Sequence, residues 1–245
     1  MKRLDTIAPQ GTPRTGRSTP IQVALNGASG RLGSRIAMLA EADPRLAIAA
    51  SHGRANPLIL PEDSAVSAVI DVSSDEGARA ALATAERAGA AILVGTTGLS
   101  AATLEAAARA AKKVPVMIAP NLSRGVAILR RLVRTLADVD ASWDFDLVER
   151  HHRGKRDAPS GTALMLADLL RERGGEDRLA GRIHSIRAGS IVGEHELRLS
   201  AEGEEILVSH RAANRDVFAR GAIEATCWLV GQSPGFHAFD DSLDR

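Results

Sequence analysis

Short apolar runs alternate with helical patterns through the first half of the chain. Runs of β type lie at residues 21–25, 45–51, 67–73, 91–95 and 114–120. Apolar residues recur at helical spacing at residues 36–40, 76–90, 99–113 and 124–138. The strands are apolar on both faces, which is typical of a parallel sheet covered by helices on both sides. The pattern therefore predicts an α/β domain.

The pattern changes after residue 143, where half-exposed strands become common. Leu197 and Leu199 alternate with Glu196, Arg198 and Ser200, as expected of an antiparallel sheet with one face in water. Further β-like segments lie at residues 143–152, 184–189 and 204–212. Helical segments lie at residues 160–173 and 217–232. The sequence therefore predicts a smaller α+β domain after the first.

Composition excludes several classes of function. The chain has 31 Lys and Arg against 30 Asp and Glu, so no overall field favours nucleic acid or membrane. Its single cysteine, Cys227, lies in an apolar run and is expected to be buried and inert, and it rules out an internal disulfide and a Cys-rich zinc site. No apolar run approaches the roughly 20 residues that span a bilayer. Residues 1–20 are rich in Pro, Thr, Gly and Arg and are expected to form a disordered leader, and the cytoplasm is the expected location.

A glycine-rich loop follows the first strand. Gly27, Gly30 and Gly33 lie where that strand turns into a helix. Glycine there permits a tight turn, and a helix N-terminus offers free N–H groups to a pyrophosphate. The glycine spacing by itself could also belong to an ordinary strand-to-helix turn. With a βαβ pattern around it, we favour dinucleotide binding.

The end of the second strand bears on the choice of nucleotide. Proteins that bind NAD place Asp or Glu there, on the ribose 2′-OH. Here Gly53 and Arg54 follow His52, without a carboxylate, and an arginine can bind a 2′-phosphate by charge-assisted hydrogen bonds. We therefore expect NADPH to be preferred over NADH, with Arg54 responsible, unless Arg54 is a solvated loop charge.

Two more loops follow strands of the predicted parallel sheet, "VGTTG" at residues 94–98 and "APNLSRG" at residues 119–125. Loops at the carboxyl ends of parallel strands gather around a ligand, and two in succession suggest a nicotinamide pocket. Ordinary turn and cap chemistry is the alternative, with Asn121 or Ser123 capping the next helix, as Ser100 caps the preceding one.

The segment "ERHHRGKRDAPSGTA", residues 149–163, combines two histidines and a lysine with the start of a helix. A hydroxyl-rich helix N-terminus accepts a carboxylate, Lys155 adds a positive charge, and a histidine can donate a proton near neutral pH. Each residue alone has an ordinary structural explanation. Together they suit a small dianion that must be protonated, and no metal site is expected because a third ligand is missing.

Six motifs make the chain resemble the 4-hydroxy-tetrahydrodipicolinate reductase (dihydrodipicolinate reductase) family over residues 21–236. They are "GASGRLG", "VGTTG", "APNLSRGV", "ERHHRGKRDAPSGTA", "RAGSIVGEHE" and "SHRAANRDVFARGA". The resemblance implies a Rossmann-like domain for NAD(P)H and a substrate domain that builds a homotetramer. It also implies a division of the chain. A leader at residues 1–20 precedes a dinucleotide-binding domain at residues 21–121. A substrate-binding and tetramerisation domain follows at residues 122–214, and residues 215–245 return to the dinucleotide-binding domain.

The resemblance implies the reduction of 4-hydroxy-tetrahydrodipicolinate, a cyclic dicarboxylate of diaminopimelate and lysine biosynthesis. Hydride would be delivered to C4, with His151 as proton donor, Lys155 assisting, and water lost overall. Residues implied to bind the substrate are His152, Ser160, Gly161 and Thr162. The reasoning above assigns Arg54 to the cofactor. The resemblance implies that the cofactor also contacts Gly27, Ala28, Ser29, Gly30, Arg31, Leu32, Gly95, Thr96, Thr97, Ala119, Pro120, Asn121 and Leu122.

Two alternatives stay open at this point. One is another imine or amino-acid dehydrogenase on the same scaffold, similar to aspartate dehydrogenase, which would bind the cofactor but not turn over the cyclic dicarboxylate. The other is a dinucleotide-binding sensor without catalysis, which would have no need for the proton donors at His151 and Lys155.

Overall fold

The structure is a computed structural model that describes residues 19–53, 60, 64–139, 142–174 and 182–244. Residues 1–18 of the predicted leader lie outside the described residues, and so does Arg54. Within the described ranges, no helix combines the length and hydropathy required to cross a bilayer.

A parallel six-stranded sheet forms the first half of the fold. Its strands are β1 Ile21–Asn26, β2 Leu46–His52, β3 Ala68–Asp71, β4 Ala91–Val94, β5 Pro115–Ile118 and β10 Gly235–Phe236. Their spatial order is β2-β1-β3-β4-β5-β10, and every pairing is parallel. The direction of strand succession reverses beside β1. In such sheets the crevice at the carboxyl ends next to that point binds ligands.

Helices cover both faces of this sheet. They are α1 Arg31–Glu41, α2 Asp75–Ala88, α3 Ala101–Ala110 and α6 Asp216–Leu229. Ile36 of α1 and Ile223 of α6 pack in one apolar cluster, and Leu82 of α2 and Ala107 of α3 pack in the other. The parallel sheet with helices on both faces that the apolar strands predict is confirmed, and so is the Rossmann-like domain that the resemblance implies. The predicted helix cap is present as well, because the Oγ of Ser100 accepts the Thr103 N–H at 3.4 Å.

A mixed four-stranded sheet forms the second half. Its strands are β6 Asp144–His151, β7 Ile183–Arg187, β8 Gly193–Ala201 and β9 Glu204–Ala212, in spatial order β7-β6-β8-β9. The pairing of β6 with β7 is parallel and the others are antiparallel. Helices α4 Arg124–Leu136 and α5 Gly161–Gly174 cover one face. The smaller α+β half expected from the sequence is therefore present.

Alternation along β8 follows the predicted pattern. Leu197 and Leu199 are buried against α4 and α5, whereas Glu196 and Arg198 lie on the other face. On that outer face Leu207 of β9 is exposed to 50% and Ile186 of β7 to 41%. The outer face therefore combines charged residues with exposed apolar side chains.

The last part of the chain packs on the first sheet. The α6 residue Asp216 accepts hydrogen bonds from Arg35 of α1 at 2.6 and 2.7 Å. Strand β10 and a short 3₁₀ helix, Phe239–Leu243, were not predicted, because elements this short carry no periodic signal. Cys227 is half-buried against the first core rather than fully buried.

Candidate active site

The glycine loop between β1 and α1 has no room for side chains at Gly27 and Gly33. A Cβ at Gly27, whose φ is +89°, would lie 2.5 Å from the Val72 carbonyl oxygen, and one at Gly33 would lie 2.0 Å from the Gly27 oxygen. Gly30 is the N-cap of α1 and supplies no side-chain cap, while Ser29, Gly30 and Arg31 are exposed. The first N–H groups of α1 thus face open space, which suits the pyrophosphate of a dinucleotide.

The end of β2 lies directly beside this loop. The His52 carbonyl oxygen accepts the N–H groups of Gly27 and Ala28 at 2.8 and 2.9 Å. A Cβ at Gly53 would lie 2.9 Å from the Oγ of Ser29. Gly53, the first residue after β2, therefore lies next to the glycine loop.

A buried carboxylate, Asp71, holds the ends of three neighbouring strands together. It accepts hydrogen bonds from Asn26 Nδ2 at 2.7 Å, Ser73 Oγ at 2.5 Å and Thr96 Oγ1 at 2.5 Å. Burial raises the pKa of Asp71 even though these three donors oppose the shift. The Thr96 hydroxyl thus supports the loop from inside, whereas Thr97 is exposed. Sequence reasoning missed Asp71, whose only signal was a carboxylate in the apolar run "AVIDV".

The loop after β5 meets the start of α5. Ala119 and Leu122 are buried, whereas the Nδ2 of Asn121 donates to the Oγ1 of Thr162 at 2.9 Å. Ser123 is the cap of α4, because its Oγ accepts the Val126 N–H at 3.3 Å. Of the two caps that the sequence allowed, the structure has Ser123, and Asn121 joins the two halves of the fold.

His151 lies at the end of β6, on the face of the second sheet that α5 covers, and is 8% exposed. Its Nδ1 contacts the Oε2 of Glu149, two residues earlier on the same face, which is fully buried. Burial lowers the pKa of His151, the charges of Lys155 and Arg187 lower it further, and Glu149 opposes the shift. Both Lys155 and Arg187 are therefore close enough for their charge to act on the imidazole ring.

A second buried histidine, His195 of β8, lies next to His151. The two ring centroids are 5.3 Å apart in an edge-to-face arrangement. The Nε2 of His195 lies 3.3 Å from the Oγ of Ser160, which also accepts the Ala163 N–H and so caps α5. Burial, together with the charges of His151 and His210, lowers the pKa of His195 to about 4. His195 is therefore neutral at pH 7 and can accept a hydrogen bond from the Ser160 hydroxyl.

Lys155 and the start of α5 share a contact with Asp157. The Nζ of Lys155 lies 2.9 Å from both carboxylate oxygens of Asp157. Hydrogen bonds from Lys155 and, with a smaller effect, from the Gly161 backbone lower the pKa of Asp157. A carboxylate of the protein itself, Asp157, thus lies between Lys155 and Gly161. The sequence analysis expected both of these residues to bind a substrate carboxylate.

The predicted site residues fall into two groups that meet at one place. The glycine loop and the loops after β4 and β5 line the carboxyl ends of the parallel strands, and His151, Lys155 and Ser160 to Thr162 lie at the end of β6 and the start of α5. The contact between Asn121 and Thr162 joins the groups. Sequence reasoning missed Glu149, Arg187 and His195 as parts of this cluster, although Glu149 and His151 have the two-residue spacing of one strand face.

Comparisons with known proteins identify relatives along most of the chain. The family profile described as "Dihydrodipicolinate reductase, N-terminus" matches residues 21–122, and "Dihydrodipicolinate reductase, C-terminus" matches residues 125–243. A 4-hydroxy-tetrahydrodipicolinate reductase of Stenotrophomonas maltophilia is 42% identical over 92% of this chain and 98% of its own. One from Xanthomonas campestris is 37% identical over 91% of this chain and 98% of its own.

A solved structure supports the fold. The dipicolinate-bound dihydrodipicolinate reductase from Paenisporosarcina sp. TG-14 superposes with a TM-score of 0.75 at 20% identity, over 91% of this chain and 99% of that one. With both family profiles matched and close relatives covered along almost their whole length, the chain belongs to the dihydrodipicolinate reductase family.

Proposed function

We propose that this protein reduces 4-hydroxy-tetrahydrodipicolinate to tetrahydrodipicolinate with NADPH or NADH, in the cytoplasm. The observation that carries the proposal is the hydrogen bond from Asn121 to Thr162 at 2.9 Å. It joins a loop of the dinucleotide-type sheet to the helix that begins beside His151. A reduced nicotinamide bound at the first half would therefore lie near a substrate held by the second half, as a reductase requires.

The residues around the glycine loop fit a dinucleotide. The close approach of Gly27, Gly33 and Val72 leaves backbone, not side chains, at the start of α1, where a pyrophosphate would accept N–H donors. The loops 95–97 and 119–122 would hold the rest of the molecule. When bound, NAD(P)H would supply the hydride that reaches C4 of the substrate ring.

The second half of the chain would bind the two carboxylates of the substrate. Lys155 supplies an ammonium group, and Ser160, Gly161 and Thr162 supply a helix N-terminus, which favours anions. His152, half-buried beside this loop, would add a donor. One substrate carboxylate would take over the contacts that Asp157 makes with Lys155 and Gly161. Binding would exchange one carboxylate for another and leave the lysine paired.

His151 would supply the proton that accompanies reduction. It is the buried histidine whose ring is held by a carboxylate on Nδ1, which leaves Nε2 as the nitrogen that can reach a substrate. The cationic groups around the pocket would stabilise the electron density that hydride addition sends into the conjugated ring.

We also propose a preference for NADPH. Gly53 lies against Ser29 of the glycine loop, and Arg54 follows it directly in the sequence. With no carboxylate at the end of β2, a 2′-phosphate would meet no repulsion there and a guanidinium could bind it.

A coupled assay tests the reductase proposal. With freshly generated substrate, the protein should oxidise NADPH, and NADH with a lower kcat/KM. Lys155→Ala should lower kcat/KM by roughly ten- to a hundredfold, the loss of a charge-assisted contact, while the fluorescence-measured Kd of NADPH stays the same. Lys112→Ala, an exposed site after α3, is the matched control. An unaltered rate in Lys155→Ala would indicate another site, and no turnover by the wild-type protein would indicate a sensor. A lower KM for NADH than for NADPH would refute the cofactor preference.

We further propose that residues 21–121 and 215–245 form the dinucleotide-binding domain. Residues 122–214 would build a homotetramer through the outer face of the second sheet. The exposed Leu207 and Ile186 on an otherwise ion-paired face support this interface. Light scattering should give the mass of four chains, and Leu207→Asp should lower it because a charge would be buried between subunits. Leu104→Asp, at a 47% exposed leucine of α3, should leave the mass unchanged. A tetramer that survives Leu207→Asp would contradict this assignment.

A further inference from the structure

An ion pair that the proposed reaction does not use lies beside His151, and its carboxylate is fully buried. Glu149 of β6 is 0% exposed, and Arg187 of the neighbouring strand β7 binds it through both terminal nitrogens. The distances are 2.9 Å from Nη1 to Oε2 and 2.6 Å from Nη2 to Oε1. A buried charge pair is costly to form in a protein interior, so its contacts need a specific explanation.

The two carboxylate oxygens of Glu149 connect three parts of the pocket. Oε2 contacts the Nδ1 of His151, and Oε1 accepts the backbone N–H of Ser160 at 3.1 Å, at the start of α5. Arg187 extends the network, because its Nη2 also donates to the carbonyl oxygen of Asp157 at 2.6 Å. The pair therefore joins the histidine strand, the helix start and the loop that carries Lys155.

Glu149 can only accept hydrogen bonds. Burial disfavours its ionised form, yet hydrogen bonds from Arg187, Ser185 and His151 outweigh burial and lower its pKa to about 2. A carboxylate that stays ionised requires the proton on His151 Nδ1, which assigns the other ring nitrogen, Nε2, to proton exchange. Gly193 of the adjacent strand leaves room there, since a Cβ would lie 3.1 Å from Nε2.

We propose that Glu149 and Arg187 act as a positioning pair for the reductase reaction. Glu149 holds the ring of His151 with Nε2 towards the substrate and stabilises its protonated form, while Arg187 orients the Glu149 carboxylate and anchors the loop of Lys155. This proposal rests on the proposed function of His151. It adds to that function the reason why this histidine, among those in the pocket, can carry a proton.

The charges around His151 come from four elements. Glu149 lies on the same strand, Lys155 on the following loop, Arg187 on β7 and His195 on β8. His210 of β9 lies beyond His195, with ring centroids 6.4 Å apart, and Asp157 is bound to Lys155. Among these described groups Glu149 is the anion in contact with the ring, so it alone directly offsets burial and the two cations.

Glu149 keeps its negative charge while His151 donates its proton. The N–H bond at Nε2 breaks, its electron pair stays on the ring, and the proton passes to the substrate. His151 is left neutral with Nδ1–H still bound to Glu149. Solvent protonates Nε2 again before the next turnover, and the carboxylate lowers the free energy of that step.

Titration of His151 by NMR, with ¹³C-labelled histidine in the full chain without nucleotide, tests the pair directly. His151→Gln identifies the signal. In Glu149→Gln the His151 titration should move to lower pH by about one unit or more, because an anion in contact with the ring is lost. In Arg187→Gln it should move to higher pH, because a cation is lost and the carboxylate remains. A general loosening of the pocket would not move the two variants in opposite directions.

Two further variants keep the test decisive. Glu149→Asp retains the charge, so its His151 should titrate close to the pH seen in the wild type. Glu196→Gln removes a carboxylate paired with Arg150 on the outer face of the same sheet and should have no effect. If Glu149→Gln does not fold, the sign of the shift in Arg187→Gln alone decides. An unmoved His151 titration in either soluble variant would overturn the proposal.

Kinetics separate this inference from the reductase assignment. If the wild-type protein reduces the substrate, the high-pH limb of its kcat profile should fall at lower pH in Glu149→Gln, because the acid is deprotonated earlier. If the wild-type protein lacks the activity, the NMR result still stands or fails by itself. Loss of activity with an unmoved titration would refute only the positioning pair.

Discussion

Replacing His151 by glutamine is expected to lower kcat by about two to four orders of magnitude, the usual contribution of a positioned general acid. Glutamine has a similar reach but carries no transferable proton. Because His151 lies on the second sheet, away from the glycine loop, the Kd of NADPH should be unchanged. Stopped-flow measurement of nucleotide oxidation, with fluorescence titration of NADPH, gives both quantities.

The control for this variant is a histidine on the opposite face of the same sheet. His184 of β7 is exposed, with its side chain 57% accessible, and His184→Gln should retain full activity. Retention of more than half of the wild-type kcat in His151→Gln would remove this residue from the reaction and leave Lys155 as the remaining candidate for the proton donor.

Replacing Gly33 by alanine is expected to weaken dinucleotide binding. The added Cβ would lie 2.0 Å from the Gly27 carbonyl oxygen and 2.8 Å from the Ala28 Cα, both backbone atoms that cannot rotate away. The loop or α1 must then shift. At about 1–3 kcal/mol for overpacking, the Kd of NADPH should rise by roughly five- to a hundredfold, with a fall in Tm.

Ser34→Ala, one residue further along α1, is the matched control for Gly33→Ala. Ser34 is exposed, and its hydroxyl donates a hydrogen bond within the helix, to the Arg31 carbonyl oxygen at 3.4 Å. It should bind NADPH as the wild type does in a fluorescence titration. Unchanged NADPH affinity in Gly33→Ala would mean that the start of α1 is not where the pyrophosphate binds.

The architecture was largely readable from local pattern. Apolar runs such as Ile21 to Leu25, followed by residues at helical spacing, predict strands buried on both faces, and Leu197 and Leu199 predict a strand with one wet face. These signals are periodic and involve neighbours in sequence, so they persist without knowledge of contacts. The two-residue strand β10 and the choice between Asn121 and Ser123 as the cap of α4 had no such signal.

What the sequence by itself determined is the identity of the reactive groups: a glycine loop before a helix, and histidines, a lysine and hydroxyls before another. What only the tertiary structure decided is which of them touch. Glu149 meets Arg187 across two strands, His195 meets Ser160 across 35 residues, and Asn121 meets Thr162 across 41. Strand register and the docking of α5 create these contacts, and the protonation of His151 depends on them because charge and burial act through distance in space.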